Sequence, residues 1–174
     1  SDLSHLSDNQ REMIALLIDA GKIMDNLFWK QAFGDKEALL SSIDNPKAKT
    51  FAEINYGPWD RLDNNKPFIS GYDAKNKGAE YYPDDMTVTE FENWDQAGKK
   101  GLYSLVKRDD KGNLTLVPYS VEYKEELTQA SNLLRKASEL AEDEGFKNYL
   151  KLRADALITD NYQPSDFAWM DMKS

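Results

Sequence analysis

Residues 55–63 read Asn-Tyr-Gly-Pro-Trp-Asp-Arg-Leu-Asp, and this stretch closes the helical first third of the chain. Gly57 can adopt backbone conformations that residues with side chains avoid, and the proline after it disfavours helix at the glycine. The stretch therefore predicts a stiff turn that presents Trp59, Asp60 and Arg61, as binding surfaces often do. In the alternative interpretation, Trp59 packs into the core and an Asp60–Arg61 pair holds the loop.

Before this turn the sequence predicts three helices. The first covers about Asp8–Phe33 and begins at a capping box formed by Ser7 and Gln10. Its apolar residues recur at helical spacing, with polar residues on the opposite face. A short second helix is predicted over 35–43. A third, over 45–56, begins with an asparagine cap followed by proline.

After the turn, residues 57–86 are predicted to be a long irregular loop rich in glycine, proline and aromatic residues. A loop of this length is uncommon inside a compact domain, so it is either functional or wrapped over a neighbour. A short helix is predicted from Thr87, then a β-hairpin at 102–117 that turns at Asp110–Asn113. The C-terminal third, over about 123–160, predicts an antiparallel helix pair.

These patterns predict an α+β, mainly α fold in a single domain over residues 1–174, with a flexible leader at 1–6. Gly145 is expected to separate the two C-terminal helices. The last segment, 165–172, is rich in apolar residues, whereas a free terminus is usually polar. We therefore expect the segment to pack on another part, and we interpret the chain as a piece of a longer protein.

Composition excludes several classes of protein. The chain carries a net charge of −9, and its lysines and arginines form no basic stripe, so no nucleic-acid partner is expected. No apolar run approaches the roughly 20 residues of a membrane-spanning helix. The chain has no cysteine, which excludes thiol chemistry. The absence of cysteine does not identify the compartment. For localisation we favour the bacterial periplasm or cell envelope over the cytoplasm.

No self-contained active site is visible in the sequence. His5 is the only histidine, and a zinc site needs three or four ligands. A Ser-His-Asp arrangement would depend on the same residue, and there is no glycine-rich phosphate loop. We therefore predict no catalytic residue and no metal ligand in this chain.

Several stretches resemble the N-terminal portion of bacterial proteins related to dipeptidyl peptidase III. The most specific is the Asn-Tyr-Gly-Pro-Trp-Asp-Arg-Leu run, and the resemblance spans nearly the whole chain. The stretches are 23–29, 54–62, 82–86, 152–157 and 166–172.

The resemblance implies a domain of a two-lobed zinc metallopeptidase with a cleft between its lobes. The family's metal motif, a His-Glu…His helix with a further Glu, is not in this sequence, so no ligand or base is carried over. The resemblance therefore implies a non-catalytic N-terminal domain that is inactive alone. Zinc would lie in the full-length parent, a zinc-dependent exopeptidase, and the catalytic lobe of the same polypeptide would be the partner.

The same resemblance makes the aromatic loop a candidate surface for a peptide substrate. Such a surface needs aromatic walls, a carboxylate for the free amine and a cation for the peptide's carboxylate or carbonyls. The candidate substrate-binding residues are Asn55, Tyr56, Trp59, Asp60, Arg61 and Tyr82. In the alternative interpretation, Trp59 and Arg61 only brace this domain against the catalytic lobe.

Two other functional classes stay open. A standalone glycan- or peptide-binding module would use the same aromatic side chains for stacking. A helical scaffold or adaptor would instead use the apolar seam at Leu127–Ala141.

Overall fold

The computed structural model describes residues 3–172 as two compact units. Unit 1 contains the described residues as far as Asp25 together with those from Pro118 onward, and unit 2 is Asn26–Val117. The predicted leader includes residues 1 and 2, which lie outside the described residues. That residues 1–174 form a single domain stays a prediction.

Taken together, the described residues are mainly helical and include two small antiparallel strand pairs, which confirms the predicted α+β, mainly helical fold class. In chain order the elements within residues 3–172 are α1 (Asp8–Ala32), α2 (Lys36–Ser41), α3 (Pro46–Asn55), β1 (Trp59–Asp60), β2 (Lys66–Pro67), a 3₁₀ helix (Ala79–Tyr81), α4 (Val88–Asn93), β3 (Ser104–Arg108), β4 (Leu114–Pro118), α5 (Tyr119–Glu122), α6 (Lys124–Leu140), α7 (Glu144–Thr159) and α8 (Gln163–Asp171). Among the described helices, none combines the length and the apolar character needed to cross a membrane.

The starts of α1, α2 and α3 follow the capping signals of the sequence. The backbone N–H of Gln10 donates to Ser7 Oγ at 3.1 Å, and the backbone N–H of Ser7 donates to Gln10 Oε1 at 3.0 Å. This reciprocal pair is the predicted capping box of α1. Asp35 caps α2 by accepting the backbone N–H of Ala38, and Asn45 caps α3 by accepting those of Lys47 and Ala48.

Unit 1 is built around α6 and α7, which are joined by residues 141–143 and pack along each other. Ser131 Oγ donates a buried hydrogen bond of 2.8 Å to the backbone oxygen of Ala154. Small side chains with no exposed surface allow the two helix backbones to approach closely: Ala130, Ala137, Ala154 and Ala156. The predicted C-terminal antiparallel helix pair is thus confirmed. A further helix that the sequence did not predict, α8, packs against α7.

Gly145 does not separate the two C-terminal helices, so that prediction was wrong. It lies in the first turn of α7, where Asp143 caps the helix by accepting the N–H of Phe146 at 2.7 Å. A Cβ atom at residue 145 would lie 3.2 Å from Asp143 Oδ1 and 3.4 Å from Met172 Cγ. Residue 145 is therefore a glycine because the Asp143 cap and the segment after α8 both lie close to its backbone.

Unit 2 has an aromatic core at the end of α1. Trp29 is only 2% exposed, and its cluster includes Leu39 and Leu40 of α2, Ile43 and Ala52. Partly buried aromatic residues cover this cluster: Phe33, Tyr56, Phe68 and Tyr72. The turn at residues 55–63 is therefore built onto a packed aromatic base.

Two strand pairs complete unit 2. The predicted hairpin is present as β3 and β4, with Asp109 accepting backbone N–H bonds inside the turn and Gly112 at a φ of +83°. The second pair, β1 with β2, was not predicted. It pairs Trp59 with Pro67 and Asp60 with Lys66. Part of the predicted 57–86 loop is therefore ordered by backbone pairing.

Arg108 of β3 ties the hairpin to the segment that precedes it. Its Nε donates to both carboxylate oxygens of Asp85 at 2.9 and 3.0 Å. Its two terminal nitrogens donate to Glu90 at 2.8 and 3.0 Å, and Nη1 also donates to the backbone oxygen of Gly112. These hydrogen bonds hold the pKa values of the Asp85 and Glu90 carboxyls below their usual values.

Candidate functional site

Asn55 and Tyr56 form the base of the turn. The buried Asn55 side chain donates through Nδ2 to the backbone oxygen of Phe51 and accepts through Oδ1 from the backbone N–H of Arg61, both at 3.0 Å. Tyr56 ends α3 in the left-handed conformation, with φ of +54°. Its ring lies 4.6 Å from that of Phe28, edge to face. Both candidate residues thus help to hold the turn in shape.

Gly57 allows the chain to pass directly under the Trp59 ring. Its φ is +151°, and a Cβ atom there would lie 3.0 Å from Trp59 Cε3. The next residue, Pro58, is fully buried, and its backbone oxygen accepts the N–H of Phe68 at 3.0 Å. Any side chain at residue 57 would therefore displace Trp59.

Trp59 is half-buried and joins the turn to residues 72–75. Its Nε1 donates to the backbone oxygen of Asp73 at 2.8 Å. The ring packs at a tilt against Phe33 at 5.8 Å, and Lys75 Nζ lies 5.5 Å from its centre. Trp59 therefore has a structural hydrogen bond and also a ring surface beside a cation.

Asp60 and Arg61 have separate environments. Asp60 Oδ1 accepts the backbone N–H of Leu62 at 2.9 Å, which shapes the β1–β2 turn. Arg61 is exposed, and its guanidinium lies 5.7 Å from the centre of the Phe28 ring. In the described part of the chain no ion pair joins Asp60 to Arg61, so the loop is not held in that way.

A cavity of about 500 Å³ lies beside this turn. Its lining includes Lys75, the cation on the Trp59 ring, and Tyr82, which is 40% exposed. The full lining is Asn64, Asn65, Ala74, Lys75, Asn76, Lys77, Gly78, Ala79, Tyr81 and Tyr82. The structure therefore gathers Asn55–Arg61 in one turn and places Tyr82 on the wall of the adjoining cavity. The binding roles of these residues stay predictions.

Lys75 was not identified from the sequence. Partial burial and, to a smaller extent, the charge of Arg61 lower the pKa of its ammonium group. Neither Lys75 nor Arg61 forms an ion pair with a carboxylate anywhere in residues 3–172. No sequence pattern signals this arrangement, because it arises only when the turn brings Arg61 and the Trp59 ring close to residue 75.

The donor atoms of residues 3–172 do not fit a zinc ion. Within the described residues, no group of three or more His, Cys, Asp or Glu side chains is placed to hold a metal. Structural and catalytic zinc sites need at least three such protein ligands. We therefore assign no zinc-dependent step to any residue of this chain.

Unit 1 contains a second cavity, of about 530 Å³, at which Arg153 lies between two tyrosines. Its guanidinium is 5.4 Å from the ring centres of both Tyr149 and Tyr162. Nη2 donates to Asp166 at 2.8 Å, and the buried Nε has no hydrogen-bond partner in the described part of the chain. The other lining residues are mostly apolar: Leu17, Ala20, Gly21, Met24, Ala130, Leu134 and Leu157.

No model of a known protein family matches the sequence. A curated relative, Nudix hydrolase 3 of Arabidopsis thaliana, is 28% identical over 235 aligned residues, which cover 99% of this chain and 30% of that protein. The chain therefore spans less than a third of that relative, whose name describes the whole protein.

Two solved structures match the entire chain. The structure of DPP III from Caldithrix abyssi aligns with a TM-score of 0.92 and 39% identity, and that of dipeptidyl-peptidase III from Corallococcus sp. strain EGB with 0.90 and 34%. Each alignment covers 100% of this chain and 35% of the other. The predicted resemblance is confirmed: the chain has the fold of about one third of a bacterial dipeptidyl peptidase III and is similar to it in sequence.

Proposed function

We propose that this chain is the non-catalytic N-terminal domain of a dipeptidyl peptidase III-like zinc metallopeptidase and that it helps to form the peptide-binding cleft. The observation that supports the proposal most strongly is that the whole of this chain aligns with two dipeptidyl peptidase III structures and covers 35% of each of them. The zinc and the general base would come from the remainder of the polypeptide, which would also be the main partner of this domain. The isolated chain is then expected not to hydrolyse peptides.

Within the candidate surface, Arg61 and Trp59 are best suited to contact a peptide. Arg61 is exposed, its donors form no ion pair with a carboxylate in residues 3–172, and a guanidinium can bind a carboxylate or carbonyl oxygens. Trp59 is half-buried, and its ring adds apolar contact area beside that cation. Asn55 and Tyr56 would act indirectly, because their side chains hold the turn.

The test uses the longer protein expected to contain this chain, with Arg61→Ala and Trp59→Ala as variants. If the turn lines the cleft, kcat/KM should fall about tenfold or more in both, because each contact contributes about 1–2 kcal/mol. Arg61→Ala should leave Tm within about 1 °C, since the side chain is exposed. Arg135→Ala is the matched control, because Arg135 is a partly exposed arginine paired with Asp155 on the helix hairpin.

The bracing interpretation predicts a different outcome. Loss of Trp59 packing and of its bond to Asp73 would lower stability by about 2–4 kcal/mol with kcat/KM unchanged. That result would exclude the hypothesis that the turn lines the peptide-binding cleft. Sequencing the gene beyond Ser174 tests the parent directly, because a His-Glu…His helix either follows or does not. Titration of the chain with oligosaccharides tests the glycan-binding alternative, and sedimentation tests the scaffold alternative through self-association.

A further inference from the structure

We propose that the cavity lined by Lys75 and Lys77 is a binding site for a small oxyanion, either a carboxylate or a phosphate group. The site would exist whether or not the turn at residues 55–61 contacts a peptide. It lies in unit 2 and consists of the segment 74–82 and the β1–β2 turn.

The lining has an unusual charge for this chain. The chain as a whole has a net charge of −9. The described cavity wall nevertheless contains two lysines and no carboxylate side chain, alongside the amides Asn64, Asn65 and Asn76. Ammonium and amide N–H groups are hydrogen-bond donors, and such donors bind oxyanions.

Among the described residues, Lys75 is a cation without a carboxylate counter-ion. It is half-buried on the Trp59 ring and close enough to Arg61 for the two positive charges to repel. Throughout residues 3–172, neither side chain forms an ion pair with a carboxylate. Two neighbouring like charges, one of them partly desolvated, raise the free energy of the folded state. A bound anion would remove that cost, and this is the physical basis for affinity.

The acidic groups near the cavity do not supply this counter-ion. Asp84 accepts a hydrogen bond from Asn76 Nδ2 and lines a second cleft, which shares Asn76, Lys77, Gly78 and Tyr82 with this cavity. Partial burial and the charge of Asp84 raise the pKa of the Glu80 carboxyl.

The volume and walls define the class of ligand further. A cavity of about 500 Å³ holds a small molecule. Tyr81 and Tyr82 line one part of it, and the Tyr81 hydroxyl is already engaged with Gln31 at 3.2 Å. The ligand would therefore place its oxyanion at Lys75 and Lys77 and a short body against the tyrosines, as the C-terminus of a short peptide or a small phosphate ester can.

The experiment is a calorimetric titration of the 174-residue chain at low ionic strength. The probes are inorganic phosphate, N-acetyl-glycyl-glycine with its free carboxylate, and the amide of the same peptide. We expect at least one of the two anions to bind with a Kd of about 1 mM or lower and the amide not to bind. Binding of phosphate only or of carboxylate only identifies the source of the oxyanion.

The decisive comparison is between two lysines. Lys75→Gln should weaken binding at least tenfold, and Lys75→Arg should retain most of it because the charge remains. Lys47→Gln removes the same charge from an exposed position at the start of α3 and should change Kd less than twofold. Equal losses in Lys75→Gln and Lys47→Gln would show a diffuse charge effect and overturn the proposal, as would no binding of either anion at 10 mM.

A measurement on the unmodified chain covers the case in which a variant fails to fold. Binding of an anion should raise the pKa of Lys75, followed by NMR of its side-chain ammonium group, and should leave the side-chain NMR signals of Lys47 unchanged. If the Lys75 pKa does not move in saturating phosphate or peptide carboxylate, the site does not exist. Neither outcome depends on peptide hydrolysis, so failure of this site is distinct from failure of the proposed peptidase domain.

Discussion

Each unit places a cation on aromatic rings, but the two arrangements differ in their counter-charge. In unit 1, Arg153 lies between Tyr149 and Tyr162 and is hydrogen-bonded to Asp166. In unit 2, Lys75 lies on the Trp59 ring near Arg61, and neither has a carboxylate partner in residues 3–172. The contrast separates a cation that completes a packed structure from one that is available to a ligand.

Arg108 shows that unit 2 can neutralise a cation fully. Its guanidinium donates to Asp85, to Glu90 and to the backbone oxygen of Gly112. The unpaired state of Lys75 is therefore a local property of the cavity and not of a unit that lacks acids. Three substitutions test this comparison.

The largest effect is expected for Arg153→Met. The change removes two ring contacts and the bond to Asp166 but keeps some apolar packing, and it also removes the unpartnered Nε. We expect a loss of about 2 kcal/mol, or about 4–8 °C in Tm for a chain of this size, measured by chemical and thermal unfolding. The control Arg135→Met should cost about 0.5 kcal/mol. A cost for Arg153→Met no greater than that of the control would show that the ring contacts contribute nothing.

An intermediate, pH-dependent effect is expected for Arg108→Gln. The Asp85 and Glu90 carboxyls have pKa values lowered from 3.8 and 4.5, chiefly by their hydrogen bonds to Arg108. A carboxyl whose pKa is lower in the folded than in the unfolded state stabilises the fold at pH values above its unfolded-state pKa. This stabilisation is lost as pH falls through the folded-state pKa. The variant should therefore melt about 2–3 °C below the unmodified chain at pH 7, and this difference should narrow as pH falls below about 4. A gap that stays constant from pH 7 to pH 3 would contradict this account.

The smallest effect, with the opposite sign, is expected for Lys75→Gln. Because partial burial and Arg61 lower the pKa of Lys75, the charged form costs stability below that pKa, and the cost disappears as pH rises toward 10.5. The variant should therefore melt about 1 °C higher at pH 7, and Lys47→Gln should not change Tm. Adding the anion that binds should reverse the order, since it stabilises only the chain that binds it. A decrease of several degrees without the anion would mean that Lys75 is structural.

Local signals allowed α1–α4, α6 and α7 to be predicted, whereas α5, α8 and the β1–β2 pair were missed. Ser7, Gln10 and Asn45 cap their helices as expected, because a capping bond joins residues two or three apart. The β1–β2 pair escaped prediction, since two-residue strands are too short to show an alternating pattern. Gly145 was misinterpreted because its close neighbour Met172 is distant in sequence.

The candidate residues were chosen from the sequence, but the sequence did not predict the environments of their side chains. Residue type could not distinguish Tyr56, which packs on the core rings, from Trp59, which is half-exposed and beside a cation. Lys75 gave no signal, because its environment is created by Trp59 and Arg61, more than ten residues earlier in the chain.

The division of the chain has a consequence for the order of folding. Unit 2 is one continuous segment, Asn26–Val117, whereas unit 1 needs residues from both ends of the described chain. During synthesis, the aromatic core around Trp29 can therefore form before α6 and α7 have been translated. Unit 1 cannot fold until residues from Pro118 onward have been translated. Until then, the apolar face of the first part of α1 stays uncovered. Helix α1 thus joins a segment that can fold early to one that can fold only late.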